Sequence, residues 1–215
     1  MIISFGRRYI FVHIPKTGGT SLALALEERA KADDILIGDT PKAKRRKSRL
    51  KTLNPAGRLW KHSTLADIDG IVDATQMDEM VIFTMVRNPW DRLVSYYNWL
   101  KLQDFAHPAV LAAKTKIFSE FLRDPVIETS MRAGSAASYM RDATGHTRPA
   151  LYVRLEKFDQ DIAPVCHHLG FEIVLPHINR SPRDADYRSY YTHVTTDWVA
   201  TMCATDIEQF GYRFE

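Results

Sequence analysis

The chain predicts an α/β fold built on a central parallel sheet, and three stretches of its 215 residues carry that expectation. Residues 8–14 (RYIFVHI) are rich in aromatic and β-branched side chains and end at Pro15, which reads as a buried strand. A turn-rich Pro15-Lys16-Thr17-Gly18-Gly19 follows. From Thr20 onward, Leu22, Ala25, Leu26 and Arg29 recur at spacings of three and four, the helical period. Residues 80–86 (MVIFTMV) are nearly all apolar, as a strand covered on both faces requires. Asn88-Pro89 then supplies an N-cap and a first helical residue, Asp91 suits the first turn, and the helix runs to about Leu102, burying Leu93, Tyr96, Tyr97 and Leu100.

The other elements follow from weaker signals. Residues 38–58, with Gly38, Pro41, Pro55, Gly57 and many cations, read as a basic, mobile loop. Residues 61–65 carry a strand signal. Residues 105–145 read as mostly helical, interrupted near Asp124-Pro125 and Gly134. Residues 150–155 form a third strand candidate, and 158–169 a helix stopped by Gly170. Residues 180–188 read as a polar loop, and 195–210 as a last helix with Gly211 after its end. No repeat or linker divides the chain, so one domain over 1–215 is expected.

Composition narrows the function classes. Hydrophobic residues make up 45% and charged residues 26%, a globular mixture. Two cysteines, Cys166 and Cys203, make no disulfide framework. No apolar run reaches the roughly 20 residues of a membrane helix, and the first residues lack the apolar stretch of a signal peptide. A cytoplasmic location is the default, with peripheral membrane association left open. The net charge is +3, yet residues 42–51 (KAKRRKSRLK) hold seven basic residues and no acidic one, and the rest of the chain is at −4. The basicity is local, which argues against a nucleic-acid-coating protein. The basic run fits an acceptor-binding flap or lid for an anionic substrate, a nucleic-acid or anionic-lipid patch, or a solvated loop.

His13-Ile14-Pro15-Lys16-Thr17-Gly18-Gly19-Thr20-Ser21 has the parts of a phosphate cradle. Two glycines let the backbone approach an anion, the helix adds its positive end, Lys16 adds a mobile charge, and Thr17, Thr20 and Ser21 add hydroxyls. The lysine precedes the glycines, unlike the nucleoside-triphosphatase loop, where Lys and Ser/Thr follow them. At the end of the second strand, Arg87 offers a fork for a second phosphate. Ser95 lies seven residues after Asn88, two turns on along the same helix face.

Together IPKTGGTS and VRNPWDRLVSYY resemble the 5′-phosphosulfate loop and the 3′-phosphate motif of the sulfotransferases that use 3′-phosphoadenosine 5′-phosphosulfate (PAPS). Further similarity lies at Lys61-His62-Ser63-Thr64, Val153-Arg154-Leu155-Glu156, His177-Ile178-Asn179-Arg180-Ser181 and residues 206–212, in the order of the branch related to carbohydrate and heparan-type O-sulfotransferases. The resemblance implies a P-loop-kinase-like, three-layer fold and metal-free transfer of a sulfuryl group to a hydroxyl or, less favoured, an amine. The acceptor would be a carbohydrate or another small, possibly anionic, molecule. It implies that Pro15, Lys16, Thr17, Gly18, Gly19, Thr20 and Ser21 hold the 5′-phosphosulfate, with Lys16 at the bridging oxygen, and that Arg87 and Ser95 hold the 3′-phosphate.

Such a transfer needs a base for the acceptor's proton, and histidine suits neutral pH. Of eight histidines, His62 is the first choice, by its polar KHST setting and by the resemblance. His177 is second, and Glu156 is a further candidate, although an Arg154/Glu156 pair more simply holds structure. His13 reads as packed inside its strand. No spacing of His and Cys suggests zinc. Trp60, Trp90, Tyr96, Tyr97 and Trp99 could stack on adenine, although aromatics at helical spacing are more often core. The rival functions are a small-molecule kinase, which lacks its post-glycine lysine and magnesium carboxylate here, and a non-catalytic anion-binding module.

Overall fold

A computed structural model describes residues 1–176 and 186–215. The elements run β1 (Ile2–Ser4), β2 (Tyr9–Val12), α1 (Gly19–Glu28), β3 (Ile35–Leu36), α2 (Pro41–Arg46), α3 (Ala74–Asp78), β4 (Val81–Val86), α4 (Pro89–Lys101), α5 (Pro108–Thr115), α6 (Phe118–Leu122), α7 (Pro125–Ala133), α8 (Ala136–Tyr139), β5 (Leu151–Arg154), α9 (Phe158–Asp161), α10 (Ala163–Leu169), α11 (His193–Met202) and α12 (Ala204–Phe210). The chain falls into two compact units, Met1–Val86 with Ala136–Ile178, and Arg87–Ser135 with Asn179–Glu215.

The first unit is the sheet. Its strand order is β3-β1-β2-β4-β5. The three strands that the sequence marks, β2, β4 and β5, are parallel, with Val12 beside Thr84 and Val86 beside Arg154. The sheet as a whole is mixed, because β1 pairs antiparallel with both β2 and β3. Those two strands leave little sequence signal. They are three and two residues long, and the β1–β2 connection is a single 3₁₀ turn, Phe5–Arg7, closed by Arg8 at φ 52°.

Both faces of the sheet are covered, which explains the unbroken apolar runs. Tyr9, Phe11, Phe83, Met85 and Val153 pack against Leu22 and Leu26 of α1 and Val165 and Cys166 of α10. The alternate residues Ile10, Val12 and Ile82 pack on the other face against Leu65, Ile68, Met77 and Met140. The one polar residue of β4, Thr84, gives its hydroxyl proton to the Val12 carbonyl at 2.7 Å, so its burial leaves no unsatisfied donor.

Two stretches differ from the sequence reading. Residues 41–52 are helix α2 followed by a 3₁₀ helix (Lys47–Thr52), where a loop was expected. Thr40 is the N-cap and accepts from the Ala43 amide at 3.1 Å, with Pro41 at the first helical position. Residues 61–65 are a turn and not a strand. Ser63 bonds the carbonyls of Trp60 and Arg58, and Thr64 bonds Asp67, so side chains compete for the backbone that a ladder would need.

The second unit is helical. Trp90, Leu93, Tyr97 and Leu100 on α4 pack with Phe118, Phe121 and Ile127 and with Val199 and Met202 of α11. The expected last helix is two, α11 and α12, meeting at Cys203.

Candidate active site

The phosphate loop leaves the carboxyl end of β2, and its shape follows from three close approaches. Lys16 has φ 67° and Gly18 φ 88°, so the chain turns twice through the left-handed region within three residues. A side chain on Gly18 would be strained at that φ, and its Cβ would come within 3.0 Å of Leu155 and 3.2 Å of Met85. At Gly19 a Cβ would lie 2.2 Å from the ring of His13. The loop backbone therefore rests directly on the side chains beneath it. Gly18 is the N-cap of α1 and offers no capping side chain; its carbonyl takes the Ser21 amide at 3.0 Å, so the amides of Gly19 and Thr20 are the helix-start donors that no cap side chain covers. This cradle fits an anionic phosphate or phosphosulfate, since backbone donors and a helix N-terminus meet in one turn whose backbone includes Lys16.

The hydroxyls do not act alike. Thr17 is buried and gives its proton to the Ile14 carbonyl at 2.9 Å, so its side chain braces the loop and its main-chain N–H is what remains for a ligand. Thr20 and Ser21 stand in the first turn of α1. A cavity of about 10 Å³, the size of one water, lies along α1 among His13, Thr20, Glu27, Thr40 and Lys61.

His62 is held against the same loop. Its Nδ1 lies 2.7 Å from the main-chain oxygen of His13. A carbonyl oxygen only accepts, so Nδ1 carries the proton and Nε2 keeps its lone pair. The two imidazoles meet edge to face at 4.7 Å, and Trp60 closes the other side of His62 at 5.0 Å. Burial pushes the His62 imidazole down to about 4 and holds His13 well below the usual histidine range, so both are neutral at pH 7. The adjoining Lys61 is paired with Asp39 at 2.7 Å. His13, read from the sequence as strand packing, thus contacts both the base candidate and the loop.

Arg87 directly follows the last residue of β4. Its Nε and Nη2 donate to one oxygen of Asp91, at 2.8 and 2.6 Å, an i,i+4 pair that ties the residue before the N-cap to the first turn of α4. Asn88 caps that helix by accepting from the Trp90 amide at 3.1 Å. Ser95 is buried on α4, two turns beyond Asn88. The sequence reading missed Asp91 as the group that orients Arg87, although the four-residue spacing was legible.

Other candidates take structural places. Arg154, at the carboxyl end of β5, forks onto Asp161 at 2.6 and 2.8 Å, an ion pair the sequence reading did not anticipate. Glu156 is exposed. His177 lies outside the described residues. His107 caps α5, and His168 bonds the carbonyls of Arg7 and Arg8. Trp90 and Tyr97 are core residues, with the Trp90 indole donating to the Thr196 carbonyl, whereas Trp60 is 44% exposed. Among the described residues no group of three or more His, Cys, Asp or Glu side chains gathers as metal ligands do.

The sequence matches the sulfotransferase family over residues 2–209. The chain belongs to that family. It is a PAPS-dependent sulfotransferase. Among solved structures, it is similar to a mouse sulfotransferase, SULT7A1, complexed with PAP, the 3′,5′-bisphosphate of adenosine. The identity is 15%, with 94% of this chain and 84% of that one covered, at a TM-score of 0.52. At that identity the likeness speaks for the fold, a mixed α/β sulfotransferase architecture with a P-loop-kinase-like sheet. No curated protein sequence matches significantly.

Proposed function

We propose that this sulfotransferase acts on a hydroxyl group, with His62 as the base, Lys16 and the 15–21 loop on the 5′-phosphosulfate, and Arg87 and Ser95 on the 3′-phosphate. The observation that carries it is the His62 tautomer, because the His13 carbonyl holds the proton on Nδ1 and leaves Nε2 as an acceptor. When bound, PAPS supplies the sulfuryl group, which passes to the acceptor oxygen as its bond to the phosphate oxygen breaks.

The residues then divide the work. His62 Nε2 takes the hydroxyl proton as the new O–S bond forms. It is a weak base when buried, and donor charge beside it raises its affinity for that proton. Lys16 would neutralise the charge that grows on the departing phosphate oxygen, and the amides of Gly18, Gly19 and Thr20 would hold the equatorial oxygens, the Ser21 amide being bonded to the Gly18 carbonyl at 3.0 Å. Asp91 fixes the Arg87 fork for the second phosphate.

A hydroxyl fits better than an amine. An amine arrives at neutral pH as an ammonium ion and must lose one proton before it can attack, whereas a hydroxyl arrives with its lone pair free. A carbohydrate or another small polyhydroxylated molecule is the acceptor class proposed.

Calorimetry with PAP beside ATP and Mg²⁺ tests the donor site. PAP should bind, and Arg87→Ala should lose that binding. A preference for ATP with Mg²⁺ would overturn the assignment. Release of PAP from PAPS, followed with polyhydroxylated and amine acceptors in parallel, should rise with the former.

A further inference from the structure

The basic run invites a separate explanation, because the structure carries it away from the phosphate loop. Helix α1 spans ten residues, about 15 Å, from Gly19 at the loop to Glu28. The basic segment fastens to the far end. Lys42 donates to the Glu27 carbonyl. Arg46 donates to the carbonyls of Lys31 at 2.8 Å and Asp34 at 3.3 Å, and Arg49 to that of Ala32 at 2.5 Å. Three of seven cations thus satisfy carbonyls at and after a helix C-terminus, where positive charge is favoured.

The remaining cations have no such task. Lys44, Arg45, Lys47 and Lys51 are exposed, and none forms an ion pair among the described residues. The surface continues past them. Lys31, whose carbonyl Arg46 binds, donates its ammonium to the Gly6 carbonyl at 2.9 Å, in the β1–β2 turn. That turn, at the start of β2 and so opposite the loop, exposes Arg8 and puts Phe5 at 39% exposure. Residues 5–8, 28–34 and 42–51 together hold eleven basic and three acidic residues, a net +8. The acids are Glu28, Asp33 and Asp34, and Asp34 is buried against the Lys31 amide at 2.8 Å. Against +3 for the whole chain, that leaves −5 for everything else.

We infer that this end of the sheet unit docks on an anionic lipid surface. An ordered, strongly cationic face with an exposed phenyl ring beside it matches a bilayer interface, which offers negative headgroups and an apolar layer beneath. A groove-binding polyanion would need no Phe5, and single-stranded nucleic acid would call for aromatic rings among the cations, which residues 42–51 lack. Docking through this end leaves the phosphate loop, at the other end of β2 and α1, clear of the surface.

The test uses the full chain with vesicles of phosphatidylcholine, with and without about one-third phosphatidylserine. Sedimentation should show binding to the anionic vesicles, weakened by salt, and little to the neutral ones. The triple variant Arg45→Gln, Lys47→Gln, Lys51→Gln should bind about a hundredfold more weakly, close to fivefold per charge, with each single variant showing its own share. Phe5→Ser should weaken vesicle binding while leaving binding to inorganic polyphosphate unchanged. Each variant should keep its stabilisation by PAP, which shows an intact fold and separates this surface from the donor site. Absent binding to anionic vesicles, an unaffected triple variant, or vesicle binding indifferent to Phe5 and matched by polyphosphate would each overturn the inference, the last in favour of a soluble polyanion.

Discussion

Arg87 and Asp91 are joined by two hydrogen bonds to a single carboxylate oxygen, Nε at 2.8 Å and Nη2 at 2.6 Å. Asp91 lies in the first turn of α4, where its charge also suits the helix dipole, and Arg87 just precedes the N-cap Asn88. An arginine held in this way enters a complex with its fork already aimed, so less side-chain freedom is lost on binding an anion. Asp91→Asn should therefore weaken PAP binding by about tenfold, in line with roughly 1–2 kcal/mol for a hydrogen bond to a charged group. Arg87→Ala should weaken it considerably more. Equal affinity of Asp91→Asn and wild type in calorimetry would remove Asp91 from the donor site.

His62→Asn removes the Nε2 lone pair and keeps a side chain that can reach the His13 carbonyl. Turnover should fall by at least about a hundredfold, while PAP binding stays within a few-fold. Steady-state rates and calorimetry on the same preparation check this. An unchanged rate would exclude His62 as the base.

Gly19→Ala brings a methyl group to 2.2 Å from the His13 ring, so either the loop or the ring must move. Both PAP affinity and melting temperature should drop. His13→Ala clears that ring, and the double variant should recover part of the affinity lost by Gly19→Ala alone. Strictly additive losses would show that the ring does not set the loop's position.

Stability should fall on acidification. Burial lowers the folded-state affinity of His13 and His62 for protons below that of the unfolded chain, near 6.5. Below that pH the unfolded state binds more protons, so the stabilisation is complete above about 6.5 and is lost as pH falls toward about 4. Melting temperatures between pH 7.5 and 4.5 should show this slope, and His62→Asn should reduce it. A variant with the wild-type slope would place the titration elsewhere.

The pairing of a cap with a following proline shows how much was legible. Thr40-Pro41, Asn88-Pro89, His107-Pro108 and Asp124-Pro125 each open a helix, with the first residue's side chain accepting a backbone amide. At Asn88 the signal stood out because a clean apolar strand precedes it. At Thr40 the same signal was masked by glycines, prolines and cations, and α2 reads from sequence as loop. Its stability comes from outside itself. Glu27 accepts from Thr40 with both oxygens, at 2.7 and 2.8 Å, and the carbonyls at and beyond the end of α1 hold Lys42, Arg46 and Arg49.

By itself the sequence determined the parallel strands β2, β4 and β5 and the glycine turn between β2 and α1, and it singled out Lys16 and Arg87 as the groups proposed for phosphate. Those features are local, because apolar runs, turn residues and capping pairs act over a few neighbours. Tertiary structure alone decided the rest. It paired β1 and β3 into the sheet, set Asp91 on Arg87, put His13 under Gly19 and behind His62, and turned a stretch read as a lid into a helix fastened to the far end of α1. Each of those depends on a contact between residues well separated in sequence or on a side-chain direction, and neither is encoded in spacing along the chain.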